Sequence, residues 1–380
     1  MNLRDFEPDR FLAEYWQKKP LLMRGGLAGW DNPLEPDELA GLALESDVES
    51  RLVVEQPGGA LAVEHGPLDA ARFDSLGTSG WTLLVQGVDR MVPQVAALIE
   101  PFRFIPDWRI DDVMVSFATQ GGGVGAHFDN YDVFLVQGLG RRRWRIGQAC
   151  DETTTLEPHD DLRLLADFQA ADEWVLEPGD ILYVPPGIAH EGTGIGTDCM
   201  TYSVGFRAPS VTELLSDYYD HLIETTTDDA RYGDPDLARQ ANPGEIAPTV
   251  LKQLHAMVTR RLQDRSEFAR WFGEFASTPK HGALEGSYNG AMLLEAAIQG
   301  APVVRNSASR FAFIGGDDAA LTLFADGRSY ACAGLAAEFA EHICAAGCGE
   351  IDIALVQDEA ARALLVSLLE NGSLVIEDDA

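Results

Sequence analysis

Residues 127–147, HFDNYDVFLVQGLGRRRWRIG, place a histidine and a carboxylate at the head of two runs of β-branched and aromatic residues, YDVFLVQG and RRRWRIG, parted by glycines. Such runs predict extended chain, and glycine and proline mark where it turns. The same texture fills about 110 to 207: DDVMVSFAT before the quoted stretch, then EWVLEPGD, ILYVPPG and MTYSVGF. Short strands with turn signals at this spacing predict an antiparallel barrel or sandwich.

His127 and Asp129 are two residues apart, so on an extended segment both side chains point to one face and can reach a single ion. His190 follows 61 positions after Asp129, behind the Pro-Pro-Gly turn that closes ILYV. Two histidines and one carboxylate leave three sites of an octahedron open, which suits non-haem iron(II) with a bidentate co-substrate and dioxygen. Zinc with three protein ligands and a water also fits, and its chemistry would be that of a cupin-type isomerase or hydrolase. A co-substrate clamp separates the two. Arg142 shares strand parity with Trp144 and Ile146 and is expected to face inward, while Arg141, Arg143 and Arg145 face outward. An inward guanidinium needs an anion, either a buried carboxylate of the protein or the far carboxylate of 2-oxoglutarate.

Other motifs carry less. GGGVGA at 121–126 satisfies a dinucleotide-type glycine pattern but leads into His127 and a strand, where that site needs a helix. His342, Cys344 and Cys348 share a helical stretch and are expected to pack, and His65, His159, His221, His255 and His281 lack partners at ligand spacing. Five cysteines without a CxxC argue against a disulfide framework or a zinc ribbon.

Outward from the barrel, residues 1–100 mix helices (36–44, 92–98) with strand-like RLVVE and WTLLVQG. From 209 to 280 the period turns helical: Ser210 and Glu213 form a capping box, and helices are expected over 248–262 and 267–275. Residues 281–380 predict a small winged-helix-like unit, with helices near 291–299, 335–345 and 359–369, a hairpin around 324–328 and a strand at 373–376. With 28 Lys+Arg against 61 Asp+Glu the net charge is −33, which repels nucleic acid and anionic lipid and attracts basic partners. The last hundred residues hold four arginines, no lysine and fifteen acids, so groove binding by the winged unit is disfavoured. No run nears the roughly 18 apolar residues of a membrane span, and MNLRDFEPDR has no leader-like character, so the cytoplasm is the expected compartment.

The quoted stretch, with EPGDILYVPPGIAHEG (177–192), YSVGFRAP (202–209) and YWQKKPLLMRGG (15–26), resembles the bacterial JmjC ribosomal oxygenases that hydroxylate an arginine of large-subunit ribosomal protein sixteen. The resemblance implies a mainly β fold with α: a double-stranded β-helix (JmjC/cupin-like) barrel over 101–208, a helical dimerisation region over 209–280 and a winged-helix-like domain over 281–380. It implies iron(II) on His127, Asp129 and His190, 2-oxoglutarate held by Arg142 with Ser116 and Ser203 lining the pocket, and dioxygen as oxidant. The partners it implies are a basic ribosomal protein as substrate and a second copy of the chain. Dimerisation through Tyr218, Tyr219, Leu222, Leu254, Met257, Trp271 and Phe272 is expected from their apolar surface. Asp111, Asp112 and Asp132, near the metal strands in sequence, are candidates to receive a substrate guanidinium. A non-enzymatic acidic binding module with a degenerate barrel is the remaining rival, and the complete triad counts against it.

Overall fold

The strands of the central stretch form one antiparallel sheet whose edges come from the first hundred residues. A computed structural model describes residues 2–227, 230–280, 289–317 and 320–377; His281 lies outside them. The chain begins with α1 (Pro8–Glu14), β1 (Leu21–Met23), α2 (Pro36–Leu42), β2 (Ser50–Glu55), β3 (Leu61–His65), α3 (Ala70–Asp74), β4 (Trp81–Val85) and α4 (Pro93–Ala96). It continues through β5 (Ile110–Ala118), β6 (Asp132–Ala149), β7 (Asp172–Leu176), β8 (Ile181–Val184) and β9 (Ile188–Phe206). The sheet runs β1-β8-β6-β9-β5-β4-β2-β3, with β7 paired to β6.

YDVFLVQG and RRRWRIG, which read as two strands, are one. β6 runs on through Gly138 and Gly140 and pairs with β9 along nearly its whole length, with register shifts between Gln137 and Arg141. Gly140 sits at φ 56°, and a Cβ there would lie 2.0 Å from the Asp198 carbonyl oxygen, so only glycine lets the two strands bend together at this point. These two long strands are the centre of the double-stranded β-helix, flanked by β5, β7 and β8. Phe11, Phe134, Tyr183, Tyr202 and Phe206, all but closed to solvent, fill the core between the barrel and the amino-terminal elements. Each such side chain contributes roughly 1.5 to 3 kcal/mol of burial.

After the barrel come α5 (Val211–Glu224), α6 (Pro248–Leu262) and α7 (Arg265–Ser277). α5 starts on the expected box: Ser210 Oγ accepts from the Glu213 amide at 3.0 Å, and Glu213 Oε2 accepts from the Ser210 amide at 3.2 Å. The surface expected for dimerisation is partly spent within the chain. Tyr218, Leu222 and Trp271 are buried against one another, with Phe272 and Phe275 alongside. Of the expected set Tyr219, Leu254 and Met257 face outward, joined by Leu215 and Ile223 of α5 and by Leu251 and Val258 of α6, a helix that buries none of its residues.

The carboxy-terminal unit comprises α8 (Gly290–Ile298), β10 (Val303–Arg305), β11 (Phe311–Gly315), β12 (Ala320–Ala325), β13 (Arg328–Ala333), α9 (Leu335–Ala346), α10 (Glu359–Glu370) and β14 (Leu374–Ile376). The β12–β13 hairpin turns on Asp326 and Gly327, both at positive φ, as its strand twist requires. Its own core gathers Leu323, Phe339, Ile343, Leu365 and Leu368 in a winged-helix arrangement. Polar contacts seat it on the barrel side. Arg103 Nη2 donates to the Cys344 carbonyl at 2.6 Å, Arg305 pairs with Asp107 at 3.5 Å, and Arg310 pairs with the buried Asp89 at 3.0 Å.

Candidate metal centre

His127 lies not within a named strand but on the loop before β6, where it forms a single bridge to His190 at the start of β9. The bridge has both backbone bonds, His127 N to His190 O at 3.0 Å and the reverse at 2.8 Å, and Gly187 N donates to Asp129 O at 2.7 Å. Each imidazole donates Nδ1–H to a carbonyl two residues upstream: His127 to Gly125 at 3.0 Å, His190 to Ile188 at 2.9 Å. That fixes the tautomer with Nε2 free as a ligand atom. Asp129 Oδ2 lies 3.6 Å from His190 Nε2 and 4.0 Å from His127 Nε2. Burial and the neighbouring His127 hold His190 well below the ordinary histidine range, so its ring is neutral and able to coordinate. Among the described residues these three are the group whose ligand atoms converge within 4.8 Å, and His342, Cys344 and Cys348 form none. All five cysteines are free thiols.

The three side chains line a cavity of about 540 Å³ that also takes in Arg142, Ser116 and Ser203. Strand parity is as read: Arg142 is 5% exposed while Arg141 and Arg143 face solvent. Its guanidinium donates to Ser116 Oγ at 3.2 Å and to Cys199 Sγ at 3.4 Å, but Nη2 is buried without a partner. Among the described residues it makes no ion pair, so the alternative of a protein carboxylate opposite Arg142 is not realised. The indole Nε1 of Trp144 on the same wall is also buried and unpartnered. A cavity with two orphaned donors suits a small dicarboxylate. Trp144 escaped the sequence reading because it served there only to set the parity of Arg142.

The same cavity is also lined by Asp111, Asp112, Gln86, Met114, Tyr131 and Lys280. Burial pushes the Asp112 carboxyl up to about 6, assisted by Asp111 and Asp89, while Lys280 and the Gly87 amide pull it down. Lys280 Nζ pairs with Asp111 Oδ2 at 2.9 Å. Asp132 does not belong here. It is fully buried on the opposite side of β6, accepting from Tyr183 Oη at 2.6 Å and Gln17 Nε2 at 2.9 Å and pairing with Arg109 at 3.2 Å. Its nearness to Asp129 in sequence misled because the loop ends between them and β6 begins with its side chain inward.

A double-stranded β-helix with a two-histidine, one-carboxylate cluster beside an unpaired buried cation is the architecture of the JmjC class of non-haem oxygenases. Residues 97–214 match the JmjC domain family, and residues 260–375 match the ROXA-like winged helix. The chain is 44% identical over 314 residues to the ribosomal protein uL16 3-hydroxylase of Escherichia coli strain K12, covering 82% of this chain and 83% of that protein. The X-ray structure of Escherichia coli ycfD superposes with a TM-score of 0.87 at 37% identity, covering 99% of this chain and all of that one. The structure of YcfD with cobalt and 2-oxoglutarate gives 0.84 at 36% identity over 99% of both chains. The chain belongs to the ribosomal oxygenase family.

Proposed function

We propose that the chain is an iron(II)- and 2-oxoglutarate-dependent dioxygenase that hydroxylates an arginine side chain of the large-subunit ribosomal protein uL16. The observation that carries the reading is the orphaned Nη2 of Arg142 in the cavity where His127, Asp129 and His190 converge. A hydrolytic zinc site has no use for a buried, unpaired guanidinium.

His127, Asp129 and His190 would hold the iron, which would supply dioxygen activation: 2-oxoglutarate would be split to succinate and carbon dioxide, with one oxygen atom entering succinate and the other a substrate C–H bond. Arg142 fixes the far carboxylate of the co-substrate, and Ser116 fixes Arg142 through its hydroxyl. Ser203, beside them on β9, narrows the pocket. Met114, Val133 and Leu135 give the cavity apolar walls that keep water from the reacting atoms. Asp111 and Asp112 receive the substrate guanidinium, since paired carboxylates match its fork of donors. The charge of −33 draws a basic protein towards the site and repels nucleic acid. No helix among the described residues is long and apolar enough to cross a membrane, and we place the enzyme in the cytoplasm with its ribosomal substrate. A homodimer through the exposed faces of α5 and α6 covers Leu215, Tyr219, Leu251 and Leu254.

The test is mass spectrometry of uL16 from cells with and without the gene, together with succinate formation by the purified chain given iron, ascorbate, 2-oxoglutarate and uL16. The expected result is one oxygen added to an arginine and an equal yield of succinate. Absence of that increment overturns the substrate, and metal-dependent turnover that ignores 2-oxoglutarate overturns the reaction class.

A further inference from the structure

The Asp111–Asp112 step is a β-bulge. Ile110 faces Phe206 and Val113 faces Val204, so both aspartates stand opposite the single residue Gly205 and the ladder is interrupted between them. A bulge re-aims side chains, and its unpaired backbone groups must find partners elsewhere. Here they find them outside the strand pair. The Val113 amide donates to Asp89 Oδ1 at 2.9 Å, and the Asp111 carbonyl accepts from Arg310 Nη2 at 3.0 Å. The same Nη2 pairs with Asp89 Oδ2 at 3.0 Å, closing a loop of contacts around the bulge.

Arg310 belongs to the winged-helix unit, just before β11, and is itself held in place. Its amide donates to Asp326 Oδ1 at 3.0 Å, its Nη1 donates to the Ser307 carbonyl at 3.3 Å, and Ser307 Oγ donates to the Arg90 carbonyl at 3.1 Å. Asp89 is 0% exposed, so the pair is a desolvated one whose loss would leave a buried charge uncompensated.

We infer that Arg310 is a positioning residue: the winged-helix domain sets the aim of the Asp111–Asp112 bulge and thereby shapes the substrate's place in the cavity. The inference rests on the proposed role of those aspartates. It gives the acidic domain a task that requires no nucleic acid. The metal ligands and Arg142 lie on β6, β9 and the loop before β6, and none of them takes part in these contacts.

Arg310→Ala and Arg310→Lys test it, assayed as full-length protein with uL16 and 2-oxoglutarate varied separately and with amide hydrogen exchange followed across the barrel. The alanine variant should raise the KM for uL16 about tenfold, the size expected when a charge-assisted hydrogen bond is lost. Lysine, which keeps a cationic donor, should recover part of that rise, and the KM for 2-oxoglutarate should stay at the wild-type value in both. Exchange should quicken at residues 111–113 and not at 188–190 in Arg310→Ala, a readout that needs no substrate. Unchanged exchange at 111–113, or a uL16 KM equal to wild type, overturns the clamp; so do two KM values that rise together with lost thermal stability. If wild-type protein ignores uL16 while the exchange difference is present, the substrate assignment fails and the clamp stands.

Discussion

Replacing Arg142 with methionine should separate what this residue does for the fold from what it does for the co-substrate. Methionine preserves most of the side-chain volume while removing the charge and every donor. The guanidinium is 5% exposed and donates to Ser116 Oγ and Cys199 Sγ, and among the described residues it faces no carboxylate. A buried cation without a counterion costs desolvation, so its removal should leave the unliganded protein as stable as before or more so. The co-substrate should respond in the opposite way. Charge-assisted hydrogen bonds contribute about 1.5 to 3 kcal/mol, so losing the clamp should weaken 2-oxoglutarate by roughly tenfold to a hundredfold or somewhat more. Thermal unfolding reads both effects at once. At 2-oxoglutarate equal to about 100 times the wild-type Kd, ligand stabilises wild type by about 2.7 kcal/mol, whereas a hundredfold weaker variant gains only about 0.4 kcal/mol. Titrations of metal-loaded protein and succinate formation against 2-oxoglutarate concentration should give matching shifts. An unchanged co-substrate dependence, or a variant that loses several kcal/mol without ligand, would show that Arg142 is structural and refute the reasoning.

His127→Ala, Asp129→Ala and His190→Ala should each lose bound metal and succinate production while keeping wild-type circular dichroism; wild-type turnover in any one removes it from the ligand set. The Asp112 carboxyl, at about 6 against its ordinary 3.8, is neutral on the acid side and cannot pair with a guanidinium there, so uL16 affinity should fall by up to about tenfold per pH unit below 6. Asp112→Asn should flatten that profile, and a slope that survives it points to another group. Asp112 acts on stability with the reverse sign: folding favours its protonated form, so its contribution is full below 3.8 and is lost as pH rises through about 6. Leu254→Glu with Met257→Glu should convert a dimer to a monomer in sedimentation, whereas a wild-type protein already monomeric at micromolar concentration ends the dimer proposal.

The barrel was legible because its chemistry is local in sequence. His127 and Asp129 are two residues apart, Arg142 declares itself by parity with Trp144, and the Ser210–Glu213 box marks the start of α5. Pro248–Leu262 matched α6 to the residue because proline at the first turn and a regular apolar period fix both ends. What sequence hid was set by distance or by pairing. β1, β3, β10 and β11, three to five residues each, are set by the strands they pair with rather than by a local pattern. Gly138 and Gly140 read as a turn because nothing local reveals that β9 lies against them. Lys280 and Arg310 reach the cavity's acidic residues from beyond the barrel, and Asp132 takes its place from Tyr183 and Arg109, far away in the chain.

The paired backbone bonds between His127 and His190 tie the loop that carries two candidate ligands to the strand that carries the third. The site therefore assembles in one step: either the bridge is closed and all three ligand atoms converge, or it is open and they are dispersed. The entropy of gathering the donors is thus met during folding, and an arriving ion meets a chelator already in its binding shape. By the same coupling a bound ion resists opening of the bridge. Slow amide exchange at His127 and His190 should then report metal occupancy as directly as any assay of turnover.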